Sequence, residues 1–186
     1  MSGMSASSVD NLRKGSAAIE ECERFFDGES LVHHSLRSIT HKLDELGIAY
    51  AVADGIAMAA HGLARVTVDL RILVTSESLG EIHQKLEGLG YVPPFAGSKQ
   101  LKDVATGVRI EFLVTGQFPG DGKPKPISFP DPAACAVEID GIRYLALNTL
   151  VELKLASGMT NPGRLKDLGD VQELIRALNL PLGFGQ

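Results

Sequence analysis

The sequence predicts one α/β (α+β) domain built on a mixed sheet. Three observations carry that expectation. Stretches with apolar residues at helical spacing alternate with short β-type runs, the pattern of helices packed on a sheet. Two hairpin signals, Thr106–Gly107 and Asp140–Gly141, lie between alternating apolar residues. The chain has 186 residues, 44% apolar and 22% charged, which is enough for one hydrophobic core of ordinary globular composition.

Each element follows from its residues. Residues 1–8 are small and polar and are expected to fray. Val9 to Phe26 reads as a helix with Ile19, Cys22 and Phe26 on one face, broken by "DGES". Ser30 is expected to cap a firmer helix, on which Val32, Leu36, Ile39, Leu43 and Leu46 step by four and three until Gly47 ends it. Tyr50 to Ala53 is expected to be a short strand, followed by an Asp54–Gly55 turn and a helix through Ala60. Thr67 to Val74 reads as the next strand. Ser76 is expected to cap a helix carrying Leu79, Ile82, Leu86 and Leu89, stopped by Gly90. The hairpin at Thr106–Gly107 puts Val108, Ile110, Phe112 and Val114 on one face, with Arg109, Glu111 and Leu113 on the other. "QFPGDGKPKPISFPDP" is a long Pro/Gly loop, and "AVEIDGIRYLAL" is the second hairpin. Two helices, about 148–157 and 164–178, close the chain. This divides the sequence into an N-terminal extension over 1–29, the domain over 30–180 and a tail over 181–186.

Composition removes several classes of function. A net charge of −5 argues against a general nucleic-acid coat or an anionic membrane surface as partner. No apolar run is long enough to span a bilayer, and "MSGMSASSVDNLRKG" lacks the apolar core of a secretory signal. Cys22 and Cys135 fit no metal or redox spacing, so a reducing cytoplasm is the expected compartment. His33, His34, His41 and His83 fall on helices without zinc spacing.

The chemistry-bearing stretch is "VADGIAMAAHGLARVTVDLRILVT", Val52 to Thr75. A Gly turn opens a helix at Asp54–Gly55, Asp69 lies on the following strand, and Glu111 lies on the later hairpin. Turns that lead into helices favour phosphate, and carboxylates on adjacent strands can hold Mg²⁺ against a triphosphate. Asp69 and Arg71, two apart, share a strand face.

This stretch resembles the nucleotidyltransferase superfamily, in the branch of minimal and AbiEii-type toxin nucleotidyltransferases. That branch shows a Gly-Gly turn, a small-residue helix, His-Gly, and then Arg-x-Thr-x-Asp-φ-Asp, φ being apolar. Gly55, His61, Gly62, Arg65, Thr67 and Asp69 fit it, "VRIEFLV" matches the strand of the third carboxylate with Glu111, and "LNTLVELKLASG" and "RLKDLGDVQELI" match the closing helices. The resemblance covers about Leu31 to Leu178. It implies a nucleotidyltransferase-like mixed sheet flanked by helices with a C-terminal helical pair. It also implies transfer of a nucleoside monophosphate from an NTP to a hydroxyl acceptor on protein, RNA or a small molecule. In that chemistry Asp69 and Glu111 hold Mg²⁺ and are the catalytic pair. Asp54, Gly55, Arg65, Thr67, Arg71 and Lys154 lie on the nucleotide side.

Two signature positions depart from the pattern. Asp54 stands for the first Gly of the turn and Arg71 for the second strand carboxylate. Two unit charges ~4 Å apart interact by about 4 kcal/mol at an effective dielectric of 20, so a guanidinium facing Mg²⁺ costs roughly 8 kcal/mol. The departures are opposite in charge, and this suggests an ion pair of Arg71 with Asp54, or with Asp69 and Glu111, that plugs the metal site. Alternatively Arg71 is a fixed cation that binds phosphate without metal. The competing class is a non-catalytic nucleotide- or partner-binding module, a pseudoenzyme in a toxin–antitoxin or defence setting with a protein partner.

Plain readings stand beside these. Asp54 is a good N-cap, and Gly55 can serve turn geometry alone. Arg71 on an open face is a solvated charge, and Glu111 is an exposed strand residue. His61 can bond the last carbonyls of its helix. Arg65 reads equally as partner to an acid or to phosphate. Lys154, with Arg164, Lys166, Asp167 and Asp170 on the next helix, reads either as the nucleotide wall or as an amphipathic surface with i,i+3 pairs. Lys123 and Lys125 read as a solvated loop.

Overall fold

The computed structural model describes residues 6–63 and 65–181, with side chains from Lys14 onward. Residues 1–5 and 182–186, which hold most of the start expected to fray over 1–8 and most of the tail, lie outside the described residues, while residues 6–8 are not frayed but form the first turn of α1. In chain order the elements are α1 (Ala6–Phe26), α2 (Leu31–Glu45), β1 (Ala51–Ala53), α3 (Asp54–Ala60), β2 (Asp69–Val74), α4 (Ser76–Leu86), β3 (Tyr91–Val92) and β4 (Gln100–Asp103). They continue with β5 (Arg109–Val114), α5 (Pro132–Cys135), β6 (Ala136–Ile139), β7 (Ile142–Leu145), α6 (Leu147–Thr160), a 3₁₀ turn (Pro162–Arg164) and α7 (Leu165–Ala177).

Among the described residues the strands form one mixed sheet in the order β3-β4-β5-β2-β1-β7-β6. β1 lies antiparallel to β2 and parallel to β7, while β2 and β5 are parallel. The register of β2 and β5 sets Arg71 beside Glu111 and Asp69 beside Arg109, while β1 sets Ala53 beside Arg71. Alternation then sorts the faces. Leu70, Ile72, Ile110 and Phe112 point into the core, where α2 packs on β2 and α4 on β5 with Leu36, Ile39, Leu43 and Ile82. Arg71 and Glu111 point to the opposite face, beside α6 and α7.

Ser30 caps α2 as expected, accepting from the backbone N–H of His33, and Gly47 ends it in the left-handed region. Both hairpins form where expected. Asp140 and Gly141 both take positive φ, the conformation a two-residue hairpin turn needs. Several boundaries differ. The cap of α4 is Thr75, whose hydroxyl accepts from Ser78 N, one residue before Ser76. β2 starts at Asp69 rather than Thr67, because the Thr67 hydroxyl turns back onto Asp69 O and Oδ1. α1 begins at Ala6 and buries Phe25, whereas Ile19 and Phe26 are exposed. Leu89 is exposed beyond the end of α4. The strand β3 and the one-turn helix α5 are too short to show a period in the sequence.

Candidate functional site

The face opposite the core carries a chain of alternating charges. Arg71 comes from mid-β2, and its Nε donates to Glu111 Oε2 at 2.8 Å while its Nη1 pairs with Asp54 Oδ2. Asp54 Oδ1 accepts from Lys154 Nζ of α6 at 2.6 Å. Lys154 also donates to Asp170 Oδ2 at 2.7 Å and Asp167 Oδ1 at 3.2 Å, both on α7. Asp170 pairs onward with Arg65. Asp167 takes Arg164 Nε at 3.0 Å and Ser157 Oγ at 2.6 Å. Lys154 is only 5% exposed, so the amphipathic-surface reading of that helix fails at this residue.

Burial and charge act together on the carboxylates. Burial pushes the Asp54 carboxyl up, but Lys154 and Arg71 outweigh it and hold the group below the usual Asp range. Burial likewise raises Asp167, while the Ser157 hydroxyl, Lys154 and Arg164 bring it below that range. Burial disfavours the Arg71 cation, but Asp54, Glu111 and Asp69 more than compensate, so it stays charged.

Asp54 is not an N-cap. It is the first residue of α3, its cap position belongs to Ala53, and no side chain caps that end. Its φ is 58°, in the left-handed region where Gly is the comfortable residue. Its two cation partners hold it there. Gly55 has a packing reason of its own. A Cβ at Gly55 would stand 3.0 Å from Thr67 Cβ, so the side chain of Thr67 fills the space a larger residue would need. His61 bonds Leu145 O of β7 through Nε2 at 2.7 Å, not the end of its own helix.

The oxygens of Asp54, Asp167 and Asp170 lie within 4.8 Å of one another, close enough to share a cation. Lys154 Nζ already sits against all three. On the strands, Arg71 takes an oxygen of Glu111, while Asp69 Oδ1 accepts from Thr67 at 3.2 Å and has no ion-pair partner among the described residues. Side-chain cations therefore hold both places where a divalent ion would find carboxylates. The residues as arranged do not fit a two-ion centre.

Two cavities flank the charge chain and share Asp54, Arg71, Arg164 and Asp167. The larger, about 540 Å³, runs from Ala53 and Glu111 to an apolar wall that includes Phe118, Phe129, Leu150 and Leu153. The smaller, about 190 Å³, brings together Gly55, Arg65, Thr67, Asp69, Lys166 and Asp170. All eight residues singled out from the sequence line one cavity or the other. Sequence reasoning missed the apolar wall, supplied by the loop after β5 and by α6, together with Lys99. The loop is not a solvated tether. Lys125 Nζ ties Pro119 O, Asp121 Oδ1 and Thr160 Oγ1 together, and a Cβ at Gly120 would collide with Thr160 and Ser157. A long structureless loop inside a compact domain was itself a signal of function.

No family model matches the sequence, and no curated protein matches it significantly. Among solved structures the chain is similar to the antibiotic-resistance factor ANT(2″)-Ia, with a TM-score of 0.51 at 14% identity, over 73% of this chain and 78% of that one. It also superposes more loosely on the lincosamide antibiotic adenylyltransferase LnuA with lincomycin bound (TM-score 0.46, 17% identity, 75% and 93% covered). An antigenic nucleotidyltransferase-like protein from Paracoccidioides brasiliensis gives 0.48 at 16% identity, with 77% and 74% covered. The likeness to ANT(2″)-Ia establishes the fold, a nucleotidyltransferase-like mixed sheet with a C-terminal helical pair.

Proposed function

We propose that this chain is a member of the nucleotidyltransferase superfamily that binds a nucleotide in the 540 Å³ cleft, with metal-dependent transfer impaired. The observation that carries this reading is the Arg71 guanidinium joined to Glu111 at 2.8 Å and to Asp54. The inherited chemistry is transfer of a nucleoside monophosphate from an NTP to a hydroxyl acceptor. Asp69 and Glu111 would be the metal-holding catalytic pair of that chemistry. On the nucleotide side of that chemistry, Lys154 would line the 540 Å³ cleft, and Gly55, Arg65 and Thr67 would line the smaller cavity that shares Asp54 and Arg71 with it. Here Mg²⁺ would meet a guanidinium already on Glu111 and Asp54 and an ammonium among the three helix-side carboxylates. No catalytic step follows from such an arrangement, and binding is what remains. A pseudoenzyme of this kind suits a role as a nucleotide- or partner-binding module, as in a toxin–antitoxin or defence system of the cytoplasm. No helix among the described residues is long and apolar enough to cross a membrane.

The test incubates labelled NTPs and Mg²⁺ or Mn²⁺ with the parent chain, Arg71→Asp and Arg71→Asp/Asp54→Gly, using cell extract as acceptor source. Label transfer is expected only from the reverted chains, and a nucleotide-dependent thermal shift from the parent. Metal-dependent transfer by the parent at the rate of the double variant overturns the reading.

A further inference from the structure

Resting on that reading, the charge census of the large cleft narrows what it can hold. Its lining has four cations (Arg71, Lys99, Lys154, Arg164) against three carboxylates (Asp54, Glu111, Asp167), one positive charge in excess. The smaller cavity adds Arg65 and Lys166 against Asp69 and Asp170 and leaves that excess unchanged. Three of the four cations are committed: Arg71 to Asp54 and Glu111, Lys154 to three aspartates, and Arg164 to Asp167. Lys99 alone has a neutral partner, Gln117 Oε1 at 2.5 Å, and both residues line the cleft. The uncompensated charge therefore belongs to Lys99, an exposed residue just before β4.

A triphosphate carries several negative charges, which divalent ions partly neutralise in phosphoryl-transfer sites. This cleft has no carboxylate set free for such an ion and one spare cation. A phosphomonoester, at about −1.5 to −2 near neutral pH, still exceeds that. A phosphodiester brings a single negative charge, and its organic substituents can use the wall of Phe118, Phe129, Leu150 and Leu153. We infer that the cleft is a site for a nucleoside phosphodiester, the chemical form of a nucleotidylated product, with Lys99 and Gln117 receiving the phosphate and the apolar wall the base or the esterified group. The chain would thus recognise what its active relatives make rather than what they consume.

Calorimetric titration tests this with nucleoside 5′-(methyl phosphates) of the four common bases. The same nucleosides and their triphosphates, in EDTA and in Mg²⁺, serve as comparisons. For the preferred base, the diester is expected to bind at least tenfold more tightly than the triphosphate in EDTA, and Mg²⁺ does not reverse the order. Lys99→Gln, an exposed change, is expected to weaken the diester about tenfold, as loss of a charge-assisted contact does, and to leave the nucleoside unaffected. A diester preference below threefold in either buffer, or a Lys99→Gln effect equal on diester and nucleoside, overturns the inference. If the triphosphate binds more tightly, the inference falls and the proposed nucleotide site stands. If no nucleotide binds, both fall.

Discussion

Buried carboxylates occur on both faces of the sheet, and the two faces satisfy them differently. On the core side Asp103, 5% exposed at the end of β4, is held by neutral donors: Ser35 Oγ of α2 at 2.5 Å and Ala105 N at 2.9 Å. Thr106 Oγ1 completes the clasp by bonding Ser35 at 2.7 Å. On the cleft side Asp54, Asp167 and Asp170 are held by Lys154, Arg71, Arg65 and Arg164. The clasp binds a hairpin turn to a helix and lies in neither cavity. The cleft network faces open volume and carries full charges that a ligand can redistribute. The carboxylate of the clasp is satisfied by short neutral bonds, whereas those of the cleft keep cations about them.

The sharpest way to break this contrast is to remove the central cation. Lys154→Met leaves the buried Asp167 and Asp170 and the part-exposed Asp54 without their shared cation and is expected to lower stability by about 3–5 kcal/mol in urea unfolding. Added Mg²⁺ should recover part of that loss in the variant and do little for the parent, because only the variant offers the three oxygens to an ion. A variant as stable as the parent would show that Lys154 is dispensable to the network. On the other face, Ser35→Ala strips a donor from Asp103 and is expected to cost about 1–3 kcal/mol while leaving nucleotide binding as it was. A change in binding would mean that the two faces are coupled.

Asp54→Gly has two opposed effects. It relieves a left-handed backbone, a gain of about 1 kcal/mol, and it deprives Arg71 and Lys154 of a shared partner. The second is expected to dominate, with a net loss of about 1 kcal/mol by thermal or urea melting. A net gain would mean the pairing contributes less than the strain costs. Acid probes the cleft network. Asp54 and Asp167 titrate below the usual Asp range in the folded chain, so the stability they contribute is complete above about pH 4. It is lost as pH falls through their lowered folded values. Lys154→Met removes a cause of both depressions and is expected to move the acid transition, followed by circular dichroism, to higher pH. The smallest effect belongs to an exposed pair. His41→Ala breaks a contact to Glu45 between side chains 74% and 62% exposed and is expected to shift stability by less than about 0.5 kcal/mol.

Much of the cleft was legible residue by residue. Asp69, Glu111, Arg71 and Asp54 stand out from spacing and from their likeness to a known motif, and the opposite charges of Asp54 and Arg71 suggested their pairing. The pairing itself is now visible, but with Asp54 and Glu111 as the partners and not Asp69. Lys154 was ambiguous, because a lysine on an apolar helix looks the same in sequence whether it faces solvent or three aspartates. Lys125 and Thr160, 35 positions apart, carried no local sign that they clamp the loop. Tertiary contact also overrode local cues at Asp54, a good capping residue drawn out of the capping role by distant cations.

By itself the sequence determined the periodic features: the α2 stripe, the two hairpins, which residues of β2 and β5 share a face, and the opposite charges of Asp54 and Arg71. Those depend on neighbours within a few residues, so local spacing specifies them. Only the tertiary structure decided which charges meet. The β2–β5 register and the packing of α6 and α7 bring together residues as far apart as Asp54 and Lys154, 100 positions away in the chain. Electrostatic energy depends on distance and burial in space, and neither is encoded by separation along the chain.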